Sequence, residues 1–409
     1  MKKIPALDAC FLSALFFLLW AISPLQVHSD VFEYRHSAGD RYRILSVVKQ
    51  AVYVDRRLSH TAEILNRVAV EVTGINGGRG QHRAVFQTSE RSTSSLIQGQ
   101  SFQWAREYES VFERDRLGYM SIGREYYMPV VRNVPVFTGR DIKPGDKWTG
   151  DGHEMHDFRD SFGIEQPYRI PFTANYTYLG ARQWKGKNYP AFSVSYRILY
   201  SPSPVRGRIW PRRIRGASDQ LVYWDLELGQ AVAYEEEYRM IFELSDGRTV
   251  EYLGSAEAEI IESPQMDKEK IASEISEEIS RLNIPNAEVR VVEEGIAINL
   301  EDIRFQADTA IMLPGERDKL DQIAEILKKY PERDIMVAGH TALAGTPDGR
   351  MKLSVERASA VADYLISRGA RSPDRVTVRG YGAERPVADN RTEEGMRRNR
   401  RVEITILEN

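Results

Sequence analysis

Three clusters carry residue types able to do chemistry. His153-Glu154-Met155-His156-Asp157 offers imidazoles and carboxylates, donors that suit zinc or copper. Its spacing is not His-Glu-x-x-His, no helical period aligns the two imidazoles, and no distant third ligand suggests itself. The segment therefore reads as a polar connection, and no metal is expected. Gly74, Gly77, Gly78 and Gly80 precede neither a Lys-Ser/Thr pair nor a helix pattern, so a β-turn accounts for them better than a phosphate loop. Arg206, Arg208, Arg212, Arg213 and Arg215 cluster around Trp210, between Pro204 and Pro211. Arginine beside an interfacial Trp suits anionic lipid headgroups, glycan or a protein partner, and a charged hairpin loop is the alternative. The chain has no Gly-x-Ser-x-Gly elbow, no paired carboxylates with a supporting His and no dinucleotide fingerprint. Neither catalysis nor a cofactor is expected.

The elements that must position these residues follow from periodicity. Residues 30–262 read as β. Tyr168, Ile170, Phe172, Ala174, Tyr176 and Tyr178 alternate before a turn at 185–188; Phe192, Val194, Tyr196, Ile198 and Tyr200 then alternate back. Val232 to Leu244 alternates likewise, Asp246-Gly247 turns, and Val250 and Tyr252 return. The pattern predicts an all-β antiparallel barrel, half-barrel or cupped sheet, with a possible subdivision near the proline-containing stretch 129–147. Ser263-Pro264 opens an amphipathic linker helix over 263–284, whose stripe is Ile271, Ile275, Ile279 and Leu282. Residues 285–409 alternate strand and helix, predicting an α/β sandwich with helices on one face.

Composition narrows the function class. The 409 residues carry a formal net charge of −3, which argues against a nucleic-acid binder. One Cys among 409 residues excludes a disulfide framework. The apolar run 11–22 after Lys2-Lys3 is the length of a signal-peptide core, shorter than the roughly 20 residues of a spanning helix. A signal peptide over 1–29 with cleavage before Asp30 is expected, with an uncleaved anchor as the alternative. Seventeen of the 20 Tyr lie between residues 30 and 262, so these aromatics either form the core of the sheet or line an apolar cavity.

The C-terminal segment resembles a known family. The residues that carry the resemblance are Ile303-Arg304-Phe305 with Ala307-Asp308, Ala338-Gly339-His340-Thr341, Leu353-Ser354-Val355-Glu356-Arg357-Ala358, Gly380-Tyr381-Gly382-Ala383-Glu384-Arg385-Pro386 and Asn399-Arg400-Arg401-Val402-Glu403-Ile404. In type and order they resemble the OmpA-like domain, the peptidoglycan-binding module of diderm envelopes. The residues before 263 bring no family to mind.

The resemblance implies recognition of the diaminopimelate side chain of the peptidoglycan stem peptide. That side chain ends in a zwitterion and calls for a cation and an anion a few ångströms apart. Arg357 stands at the family's Arg position, where a guanidinium takes a carboxylate through two hydrogen bonds. Ala342 occupies the family's Asp position, directly after Thr341. Losing one charge-assisted contact weakens binding by roughly 1.5–3 kcal/mol. Three readings follow: Asp348 of the 345–349 loop stands in for the missing acid, the domain takes a stem peptide with a different diamino acid, or it keeps the fold without the ligand. Arg400 and Arg401, beside Arg397 and Arg398, are either a rim contact or solvated charge.

These features predict a non-catalytic envelope protein. It would be exported to the periplasm and associated with the outer membrane or cell wall, linking peptidoglycan to that membrane or to an envelope partner. The alternative is a periplasmic carrier whose β module holds a lipid or another apolar ligand.

Overall fold

The computed structural model describes residues 30–93, 99–204, 209–262, 266–301, 303, 305–306 and 309–408. The signal-peptide expectation, Arg206, Arg208 and Ser263-Pro264 lie outside them.

The alternating segments form long strands: β1 (Arg41–Val54), β2 (Arg57–Asn76), β3 (Arg79–Ser92), β4 (Phe102–Arg114), β5 (Met120–Ile122), β6 (Val131–Arg132), β7 (Lys147–Phe158), β8 (Ile164–Trp184), β9 (Lys187–Tyr200), β10 (Pro211–Asp225), β11 (Gln230–Leu244) and β12 (Thr249–Glu262). A one-turn helix, α1 (Arg159–Phe162), interrupts the β7–β8 connection. Hydrogen bonding runs antiparallel in the order β5, β4, β3, β2, β1, β12, β11, β10, β9, β8, β7, β6.

Of the barrel, half-barrel and cupped sheet expected, the closed barrel is not formed: the sheet stays open, its edges sharing no ladder among the described residues. Side chains bridge the gap instead. Arg106 and Tyr108 of β4 both donate to Asp157 Oδ2 on β7 at 2.8 Å, and Ser110 Oγ donates to the Met128 carbonyl at 2.7 Å. The segment between the edges carries Pro129, Pro135 and Pro144, which lack the N–H a ladder needs.

The inward faces meet as the alternation requires. Phe172, Ala174, Tyr176, Phe192, Val194 and Tyr196 are all buried. Phe32 enters from the segment before β1 and packs among Phe137, Phe192 and Trp224, filling one end of the cup with aromatic core.

The second half contains α2 (Lys268–Arg281), β13 (Ala287–Val292), β14 (Gly295–Glu301), α3 (Glu316–Lys328), β15 (Ile335–Gly339), α4 (Pro347–Ser367), β16 (Val376–Gly380), α5 (Glu393–Asn399) and β17 (Arg401–Leu407). The strand order is β13, β14, β17, β15, β16, with only β15 and β16 parallel among these pairs. Asp267 caps α2 by accepting from the Lys270 amide. Ile275 and Ile279 of α2 are buried in the same cluster as Ile296, Ile298, Leu320, Leu327, Val361, Leu365 and Ile404. The helix read from sequence as a linker thus packs onto the C-terminal core.

The opposite face of this sheet is polar, and the N-terminal sheet contacts it. Arg67 of β2 donates to Asp334 Oδ2 at 2.7 Å, Thr377 Oγ1 at 2.8 Å and the Asp374 carbonyl at 2.9 Å. Thr377 and Val378 of β16 pair with Phe102 and Gln103 of β4 in parallel.

Candidate functional site

The site grows from the ends of the two parallel strands. Gly339 and Gly380 close β15 and β16, and neither leaves room for a side chain. A Cβ at Gly339 would stand 2.0 Å from the Ser354 carbonyl oxygen, and one at Gly380 would stand 2.4 Å from Val355 Cγ2. The strand ends are therefore pressed directly onto α4. Ser354 fastens this contact, accepting from the Gly382 amide at 3.0 Å and donating to the Met351 carbonyl at 2.7 Å. Arg357 follows Ser354 by one helical turn, and Thr341 follows Gly339 by two residues.

The chain leaving β15 is buried. Thr341 donates its amide to the Gly382 carbonyl at 2.8 Å. Its hydroxyl is buried without a hydrogen-bond partner among the described residues. Ala342, where the resemblance leads one to expect an acid, is 5% exposed. The His340 ring stacks on Tyr381 with centroids 5.1 Å apart. Burial, and then the charges of Arg401, Arg385 and Arg290, push the His340 pKa down to about 3. His340 is thus neutral at physiological pH.

Arg357 is held by the segment after β14. Its Nε donates to the Thr309 carbonyl at 3.1 Å, and its guanidinium carbon lies 4.9 Å from the Phe305 ring centroid. These two contacts fix the direction of the side chain.

Asp348 is not in a loop. Thr346 accepts from the Gly349 amide as N-cap, Pro347 takes the first helical position, and Asp348 lies in the first turn of α4. Arg357 stands nine positions further along the helix. That spacing amounts to about 14 Å along the axis and half a turn around it. The structure does not bring Asp348 and Arg357 to one face.

The terminal arginines divide. Arg400 is exposed. Arg401 is 4% exposed, donates to Glu403 Oε1 at 2.7 Å and to the Arg385 carbonyl at 3.1 Å, and is committed to the sheet. Asn399, just before them, is fully buried. Its Oδ1 accepts from the Val387 and Ala388 amides and its Nδ2 donates to the Ala388 carbonyl. Sequence reasoning passed over Asn399 and Ser354 as site-shaping residues, although both sit in the quoted motifs.

The other clusters are placed as follows. Trp210 is half-buried at the mouth of β10, whose next residues include Arg212, Arg213 and Arg215. Arg213 and Arg215 flank the buried Ile214 and both pair with Glu243, at 3.6 and 3.1 Å, so the charge of this patch is partly neutralised. The His153–Asp157 segment is part of strand β7 and not a connection. Glu154 accepts from the Tyr196 hydroxyl at 2.8 Å and lies 2.7 Å from His156 Nε2. Asp157 accepts from Arg106, Tyr108 and Arg159.

Residues 304–400 match the model of the OmpA family, so that C-terminal segment carries an OmpA-family domain. Outer membrane porin F of Pseudomonas fluorescens is 39% identical over 105 residues, 26% of this chain and 32% of that protein. Peptidoglycan-binding protein ArfA of Mycobacterium bovis is 38% identical over 104 residues, 25% of this chain and 32% of its own. Among solved structures, the cell wall anchor of the T6SS from Pseudomonas aeruginosa is 28% identical, covering 34% of this chain and 99% of that one, with a TM-score of 0.30. The chain spans about a third to a half of the length of the curated relatives it matches.

Proposed function

We propose that this chain is an exported, non-catalytic envelope protein whose C-terminal domain contacts the peptidoglycan stem peptide, and whose β-rich half ties that contact to the outer membrane or an envelope partner. The observation that carries this reading is the placement of Arg357. It stands at the family's Arg position, directed by Thr309 and Phe305, one turn beyond the serine that clamps the two strand ends. Its guanidinium takes the carboxylate of the diamino acid, and the Thr341 hydroxyl supplies a further hydrogen bond.

The ammonium of the same side chain meets Ala342 where the family has a carboxylate. Contact is therefore weaker than in a complete site, by roughly one to two decades. The relatives named for the outer membrane and for peptidoglycan binding support an envelope location. The burial of Arg67 and Asp334 between the halves supports transmission of a wall contact to the β-rich half as one mechanical unit.

Co-sedimentation of the exported chain with purified sacculi tests the proposal. The wild-type chain is expected in the pellet, and Arg357→Ala is expected in the supernatant. A wild-type chain that never sediments with sacculi, at any protein concentration, contradicts it.

A further inference from the structure

The aromatic core of the N-terminal sheet has a cavity beside it, and Tyr34, which packs on Phe137 and Trp224, lines that cavity. A cavity of about 840 Å³ lies between β1, β11, β12 and the chain entering β1. Its wall includes Tyr34, Tyr42, Ile44, Val72, Tyr234 and Ile260. This volume lies within the usual few-hundred to about 1,000 Å³ of small-molecule sites, which join an apolar wall to a few convergent polar groups.

Of the charged groups on the lining, Arg35 donates to the Glu227 carbonyl and Arg41 pairs with Glu71, and Lys187 stands at the β9 side; Arg114 and His36 face the aromatic wall. Arg114, the last residue of β4, borders the cavity, its guanidinium carbon 4.7 Å from the Tyr34 ring centroid and 5.6 Å from that of Phe112. Among the described residues its guanidinium donates to the sulfur of Met120, at 3.5 Å. Among the described residues it forms no ion pair. Its Nε is buried without a partner, and so is Nε2 of His36, which borders the same cavity.

The acids on the lining are engaged elsewhere. Asp40 Oδ2 accepts from the Ser37 amide, Asp225 Oδ1 accepts from the Glu227 and Leu228 amides, and Glu259 pairs with Lys185. A guanidinium held among aromatic rings without a carboxylate is an uncommon arrangement, because buried charges are ordinarily paired. An anion entering the cavity would supply the missing partner.

We infer that this cavity binds a single-chain amphiphile with an anionic head. The head pairs with Arg114 beside the His36 ring, and the chain lies along Tyr42, Ile44, Val72, Tyr234 and Ile260. This site is separate from Arg357 and does not depend on peptidoglycan contact.

Calorimetric titration of the exported chain with dodecanoate, dodecyl phosphate and dodecanol tests the assignment. At least one of the two anions is expected to bind saturably with one-to-one stoichiometry. Tighter binding of dodecanoate assigns the head as a fatty-acid carboxylate; tighter binding of dodecyl phosphate assigns a phospholipid-derived head. Arg114→Gln is expected to weaken the preferred anion at least tenfold while leaving the weaker binding of dodecanol unchanged. Ile260→Phe narrows the wall without touching the charge, and is expected to weaken all three ligands. Saturable binding of neither anion, or equal affinity in a folded Arg114→Gln chain, overturns the inference. If Arg114→Gln does not fold, anion affinity unaltered by Ile260→Phe does so.

Discussion

Arg67 and Asp334, 267 residues apart in sequence, form an ion pair with Nε and Oδ2 at 2.7 Å, their side chains only 7% and 5% exposed. Arg375 reaches the other carboxylate oxygen at 2.8 Å. One carboxylate thus joins an arginine from each half of the chain. Burial alone would raise the Asp334 pKa, but Arg67 and Arg375 more than offset it and hold it below the ordinary value. Removing either partner leaves a buried charge uncompensated.

Arg67→Ala is therefore expected to cost about 3 kcal/mol in urea denaturation, at the low end for a buried pair because Arg375 still touches Asp334. The sign of the pH dependence follows from the lowered pKa. The contribution of Asp334 is fully present above the unfolded carboxylate value near 3.9 and is lost as pH falls through its folded value. A denaturation midpoint unmoved by Arg67→Ala would show that the contact between the halves adds no stability.

His340 gives a second pH dependence, in a milder range. Its pKa is about 3 in the folded chain against an ordinary value near 6.5, and the pKa of His82 is lowered to a similar value, first by burial and then by the Arg114 charge. Protons therefore bind the unfolded chain more tightly. Stability is complete above pH 6.5 and declines as pH drops toward 3, by about 2 kcal/mol per histidine at pH 5. Urea midpoints at pH 7 and pH 5 measure this. His340→Phe preserves the ring against Tyr381 and is expected to remove about 2 kcal/mol of the decline, the share of His340 beside those of His82, His153 and His36, whose pKa values are also lowered.

Gly339→Ala probes the pressed strand end. The added methyl meets the Ser354 carbonyl oxygen, a backbone atom that a side-chain rotation cannot move away. A loss of about 3 kcal/mol is expected, together with loss of sacculus retention, because the same displacement shifts Thr341 and α4. Unchanged stability in thermal melts would show that β15 and α4 separate freely.

The elements with strong periodicity were legible from sequence. The β8–β9 and β11–β12 hairpins turn at Lys185-Gly186 and Asp246-Gly247 as the alternation requires, and the Ile275 and Ile279 stripe of α2 is buried. The less legible features rest on polar residues. Asp348 looked like a loop residue because Gly345 and Pro347 read as breakers, whereas Thr346 as N-cap and Pro347 at N1 start a helix there. Arg401 looked like surface charge, although Glu403 and the Arg385 carbonyl let it be buried. The contact between the halves runs through Arg67, Ser89, Asp334 and Thr377, which carry no hydrophobic pattern to read. Arg357 is singled out by family resemblance alone; helix periodicity would leave it a half-exposed arginine.

Affinity for sacculi in Ala342→Asp, measured beside wild type by co-sedimentation across a protein titration, tests the account most directly. It holds that the family's site is complete except for the acid at 342. The new carboxylate is expected to pair with the diamino-acid ammonium and tighten binding by about ten- to a hundredfold. A folded Ala342→Asp chain that binds sacculi no more tightly than wild type would contradict it.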